Sequence, residues 1–163
     1  MLDSTFAHNF FGVYTYEARD IVFRGNVFRD NILYGFDPHD ATAGLVVEDN
    51  EAYGNGSHGF IVSRYVVDSV FRGNRSHDNL GNGIVMDFAS DRNLIEANVV
   101  EDNAKDGIVL LDRPATSWST TSSEATAWEC VSTTSRAGAT RCEETCSRAT
   151  RSGFRPTAAP ATS

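Results

Sequence analysis

Cysteine is missing from the first 129 residues; all three (Cys130, Cys142 and Cys146) lie toward the C-terminus, as do both tryptophans, Trp118 and Trp128. The first part is therefore expected to fold without disulfides and says nothing about redox compartment. Cys142-x3-Cys146 with one distant cysteine lacks a fourth ligand, so these thiols are not read as a metal site. No apolar run approaches the roughly 20 residues that span a bilayer. The opening MLDSTFAHNF has neither the basic nor the apolar region of a secretory signal, so a soluble chain without its own export signal is expected. Basic residues are scarce too: 14 Lys and Arg stand against 22 Asp and Glu, a net charge of -8. That balance offers no phosphate-neutralising stripe and argues against nucleic acid as a partner. Any acidic polymer would need a local basic site.

Composition changes abruptly along the chain. Residues 1–112 hold 8 of the basic and 18 of the acidic residues. Residues 113–163 contain no Asp, Asn, Ile, Leu or Tyr and are rich in Ser, Thr and Ala, the composition of a low-complexity, disordered segment. A shifted reading frame is the expected origin, with a natural flexible tail as the alternative. Codons for Trp118 onward, read two nucleotides later, can spell Glu-Tyr-Asn-Val-Val-Arg-Gly-Asn-Gly-Val-Gly-Val, and codons from Thr140 can spell Pro-Val-Arg-Gly-Asn-Val-Phe-Ala-Arg-Asn. The chain is therefore divided into a folded region, 1–112, and a tail, 113–163.

What the first region has is a repeat. Asn26, Asn50, Asn74 and Asn98 are spaced by 24, as are Asn31, Asn55, Asn79 and Asn103, and Gly35, Gly59, Gly83 and Gly107. Between these markers lie short β-branched and aromatic segments such as Leu45-Val46-Val47, Phe60-Ile61-Val62 and Ile84-Val85-Met86. Bounded by Gly and Asn, they read as strands of three to five residues, too closely punctuated for helices. Each residue of such a solenoid stacks on its equivalent one coil away, at about 4.8 Å. The spacing predicts apolar columns Phe36–Phe60–Ile84–Ile108 and Phe23–Val47–Phe71–Ile95, asparagine ladders at the turns, and a surface column of alternating charge, Arg24–Glu48–Arg72–Glu96. Leucine-rich, ankyrin and tetratricopeptide repeats need leucine scaffolds or helices. The fold class is all-β, a right-handed parallel β-helix of about four coils.

One coil breaks its own pattern. Where the others continue G-[FI]-[IV]-[VM], Gly35 leads into Phe36-Asp37-Pro38-His39-Asp40. Pro38 has no amide for a sheet ladder and marks a strand end or irregularity, and such departures concentrate at functional sites. In extended chain Asp37 and His39 share one face, with Phe36 and Pro38 on the other. Stacking by 24 sets Ser63 and Asp87 in the column of His39 and His58 in that of Tyr34, with Arg64 just beyond Ser63. Tyr34, Asp37, His39, His58, Arg64 and Asp87 thus fall on one patch over three coils. The set holds an imidazole base, a phenol, carboxylates and a cation that can neutralise a carboxylate bidentately, which suits removing a proton alpha to a carboxylate. His8 and His77 are expected to be surface residues.

Tyr34-Gly35-Phe36-Asp37-Pro38-His39-Asp40 resembles the YG-x-DPH-[DE] motif of mannuronan (alginate) C5-epimerases. His58-Gly59-Phe60-Ile61-Val62-Ser63-Arg64 is similar to the following coil of the periplasmic members, and the likeness covers roughly residues 25 to 111. The resemblance implies that His39 is the general base at C5 and Arg64 the neutraliser of the substrate carboxylate, with Tyr34 or a water reprotonating the opposite face. Asp37 would orient or line the subsite, and His58, Asp40 and Asp87 would contact substrate. It further implies a polyuronate partner, conversion of β-D-mannuronate to α-L-guluronate in polymer, and an extracellular or periplasmic parent. No cofactor is evident; some members need calcium, but no dense run of oxygen ligands stands here. Known members have several more coils ahead of the DPH coil, so weak or no activity is expected of this chain alone. Two alternatives stay open: a polyuronate lyase, which shares the proton abstraction but expels the C4 oxygen, and a noncatalytic carbohydrate-binding module.

Overall fold

The computed structural model describes residues 1–111 and the backbone of two later strands, Ser117–Ser119 and Cys130–Ser132. An incomplete first coil carries β1 (Thr5–Ala7) and β2 (Phe11–Tyr16). Four three-strand coils follow. They are β3 (Val22–Arg24), β4 (Val27–Arg29) and β5 (Tyr34–His39); β6 (Val46–Glu48), β7 (Glu51–Tyr53) and β8 (Phe60–Val62); β9 (Val70–Arg72), β10 (Arg75–His77) and β11 (Ile84–Met86); β12 (Leu94–Glu96), β13 (Val99–Glu101) and β14 (Ile108–Leu110). Every pairing is parallel, and three sheets run along the axis: β1-β4-β7-β10-β13, β3-β6-β9-β12 and β2-β5-β8-β11-β14. Ser117–Ser119 (β15) adds to β12 and Cys130–Ser132 (β16) adds to β14. Both fall in the expected tail; the rest of that segment lies outside the described residues.

The expected columns are the core. Phe36, Phe60, Ile84 and Ile108 are almost fully buried, as are Phe23, Val47, Phe71 and Ile95. They interdigitate from two sheets, with the rings of Phe23 and Phe36 meeting at 4.8 Å. Burying one such side chain stabilises the fold by about 1.5–3 kcal/mol, so the repeated stack is the main driving force.

The buried turns have amide groups to satisfy, and the asparagines satisfy them. Asn50 Nδ2 donates to Asn74 Oδ1 at 2.9 Å and to the Phe23 carbonyl at 3.0 Å. Asn74 Oδ1 also accepts from the Asn50 backbone N–H at 3.1 Å. The second ladder does the same from Asn31 to Asn103. Each amide uses both ends in a dry environment, where an unpaired polar group is costly. The repeated glycines mark close approach: a Cβ at Gly59 would lie 2.1 Å from Ser76 Oγ, and one at Gly83 2.1 Å from Val100 Cγ1. The charge column forms as two ion pairs, Arg24–Glu48 and Arg72–Glu96.

Two local features differ from the expectation. The 24-residue period fails at the start: Thr5 pairs with Val27, 22 residues on, and Phe11 with Tyr34, 23 on. His77 is more engaged than a free surface histidine. Its ring stacks on Tyr53 at 5.2 Å, and its two nitrogens meet Asp78 and Glu51 at 2.7 and 3.0 Å. Tyr53 lies one coil below it in the same column, which supplies the ring it packs on.

Candidate active site

The outer face of the β2-β5-β8-β11-β14 sheet carries the irregular residues. Along the extended β5, Phe36 joins the main core, whereas Asp37, itself buried, stands in the column of Ile61, Val85 and Val109, which pack as a separate cluster. Recorded β5–β8 pairing is limited to Phe36↔Phe60; two residues on, Pro38 has no N–H to offer. The Ser63 N–H still donates to the Pro38 carbonyl at 3.0 Å and the Asp87 N–H to the Val62 carbonyl at 2.8 Å. That register stacks His39, Ser63 and Asp87 in one column. Tyr16 lies below His39, and Tyr14 below Asp37.

His39 is held from two sides. Its Nδ1 is 2.8 Å from Asp40 Oδ2, so the carboxylate accepts the Nδ1 proton and leaves the Nε2 lone pair free. The Tyr14 ring packs against the imidazole, centroids 5.3 Å apart. Tyr14 is 46% exposed and was not among the residues expected from sequence. Its signal was obscured because it lies on the one coil that is 23, not 24, residues from the next.

Asp37 is 2% exposed, and its Oδ1 has no hydrogen-bond partner among the described residues. Burial pushes its carboxyl up to about 6, opposed by the charge of His39 and by Ser63, with the negative charges of Asp40 and Asp87 adding to the rise. Tyr34 is half-buried between the rings of Phe11 and His58, at 5.6 and 5.4 Å. Burial first, then the charges of Asp37 and Asp87, raise its phenol above the ordinary range, so it keeps its proton at neutral pH. His58 Nδ1 accepts the Asn82 N–H at 2.9 Å. Burial holds this imidazole below its usual range, with Lys105 adding to the effect.

Arg64 follows β8 in a left-handed turn, φ 51°, and is exposed. No described residue forms an ion pair with it or with Arg19, whereas Arg24, Arg29, Arg72, Arg75 and Arg92 are all paired. Arg64 follows Ser63, the residue stacked on His39, and its charge lowers the Tyr14 phenol slightly against the rise that burial and the nearby carboxylates cause. Asp87 caps its own turn through the Phe88 N–H at 2.8 Å while its charge bears on Tyr34 and Asp37. The structure thus gathers Tyr34, Asp37, His39, Asp40, Arg64 and Asp87, adds Tyr14, and turns His58 toward Tyr34 and Asn82. Among the described residues no group of three or more His, Cys, Asp or Glu converges to hold a metal.

The chain is 44% identical over 113 residues to the mannuronan C5-epimerase of Pseudomonas syringae pv. tomato, covering 69% of this chain and 21% of that protein. It is 51% identical over 47 residues to mannuronan C5-epimerase AlgG of Azotobacter vinelandii, 29% of this chain and 9% of the relative. The crystal structure of the periplasmic alginate epimerase AlgG superposes with a TM-score of 0.71 at 41% identity, over 72% of this chain and 28% of that one. The chain thus spans about a fifth of the length of the first of these relatives. The family of the right-handed β-helix region matches residues 1–123, and the chain belongs to it.

Proposed function

We propose that the chain is the catalytic stretch of a polysaccharide C5-epimerase acting on polymannuronate. The observation that carries this reading is His39 with Nδ1 on Asp40, Nε2 free, and the unpaired Arg64 on the neighbouring coil. The likeness to mannuronan C5-epimerases and to a periplasmic alginate epimerase supports it.

His39 Nε2 takes the proton from C5, and the C–H electron pair spreads into the adjoining carboxylate. Arg64 neutralises the charge that builds there, where a preorganised cation is worth most. Tyr34 delivers its proton to the opposite face of C5 and regains one from solvent, which inverts the centre. Asp37 lines the same face; with its carboxyl pushed up to about 6, its protonated form donates a hydrogen bond to the substrate. His58 holds the Tyr34 ring in place. The parent protein works outside the cytoplasm, where its polymer is met.

Incubation with polymannuronate tests the reading. Appearance of guluronate signals in the proton NMR spectrum, without ultraviolet absorbance from unsaturated ends, is the expected result. Absorbance from unsaturated ends would instead show the β-elimination of a lyase, and binding without any turnover would show a carbohydrate-binding module.

A further inference from the structure

Two bulky rings stand on turns beside the His39 column that do not require them. Tyr65 follows β8 and Phe88 follows β11, both with left-handed φ, 59° and 29°. Large side chains avoid this region because Cβ crowds the backbone. The backbone hydrogen bonds set Tyr65 between Ala41 and Ala89 of the adjoining coils, so the same turn is made with alanine. Neither ring joins the core: Tyr65 is 53% and Phe88 45% exposed. They meet edge to face, centroids 5.5 Å apart at 84°, which leaves ring faces open.

Their neighbours connect them to the groove. Arg64, next to Tyr65, has no ion pair among the described residues, and Asp87, next to Phe88, bears on Tyr34 and Asp37. The pair stands one to two coils beyond His39, about 5–10 Å along the axis at the spacing of parallel strands. Open aromatic faces suit the C–H face of a pyranose, and a guanidinium beside them suits its carboxylate.

We propose that Tyr65 and Phe88 form the platform of a second sugar subsite, on the β11 side of His39, which takes a neighbouring uronate of the same polymer. The subsite rests on the polyuronate reading of the His39 site. It fixes the register in which successive residues reach the imidazole.

The test titrates the full chain with oligomannuronates of defined length by calorimetry, comparing wild type with Tyr65→Gly/Phe88→Gly. Glycine removes the rings and relieves the left-handed backbone, so the thermal midpoint is expected to hold or rise. Affinity for the longer oligomers is expected to fall roughly tenfold, with Tyr65→Phe close to wild type. Tyr65→Ala, the residue of the adjoining coils, is the second variant, expected to weaken binding without unfolding the chain. Wild-type affinity in both variants would overturn the subsite while leaving the His39 reading intact. No oligomannuronate binding by wild type would overturn both.

Discussion

The core face of the β2-β5-β8-β11-β14 sheet and the outward column of His39 obey opposite rules. Inward, Val13, Phe36, Phe60, Ile84 and Ile108 repeat one chemistry coil after coil. Outward, the column of Tyr16, His39, Ser63 and Asp87 changes identity at every step. Stacking imposes the first pattern, because each buried residue must match the coils above and below it. Nothing structural imposes the second, so its outliers report on chemistry. The buried Asp37 shows the difference most clearly, standing in a column that continues as Ile61, Val85 and Val109. A carboxyl with an unpartnered oxygen, where three aliphatic residues pack in the other coils, costs stability that the fold has no use for.

The sharpest break in the comparison is His39→Ala. Turnover on polymannuronate should fall about 10²- to 10⁴-fold, the usual contribution of a positioned base, while the circular dichroism spectrum stays that of wild type. The counterpart in the repeating interior is Asn74→Ala, at the turn between β9 and β10. It strips a ladder rung that donates to Asn98 and Val47 and accepts from Asn50. Leaving those buried groups unsatisfied should cost on the order of 2–4 kcal/mol, read from urea midpoints.

Asp37→Asn should act in the other direction. A carboxyl whose folded value is raised from 3.8 to about 6 favours the fold while protonated and loses that advantage as pH climbs through this window. The variant should therefore be more stable than wild type at pH 8, by on the order of 2–3 kcal/mol, with the gap closing toward pH 4. Denaturant midpoints at the two pH values check it; a gap that does not change with pH would show that Asp37 is not titrating in this window. The smallest effect is expected from Arg24→Ala, whose exposed ion pair with Glu48 should leave the urea midpoint unmoved.

Those contrasts also explain what could be read from the sequence. The inward face was legible because the packing that defines it writes a fixed period into Phe, Ile, Asn and Gly. The DPH coil was legible as the place where that period fails. Tyr14 was not, since its coil is offset by one residue at Phe11↔Tyr34 and its column begins before the marked repeats. The Asp40 contact to His39 was also hidden: adjacent residues of a strand point apart, and the contact arises only because Asp40 has left the strand at a positive φ of 32°. Spacing likewise set His58 in its column above Tyr34 but not the Asn82 N–H that occupies its Nδ1.

The central claim is that His39 Nε2 removes the C5 proton while Arg64 stabilises the resulting charge. Incubating polymannuronate with the chain in D2O and following C5 by NMR tests it most directly. The account predicts deuterium at C5 together with guluronate for wild type, and neither for His39→Ala nor for Arg64→Ala. Deuterium incorporation by His39→Ala at the wild-type rate would contradict it.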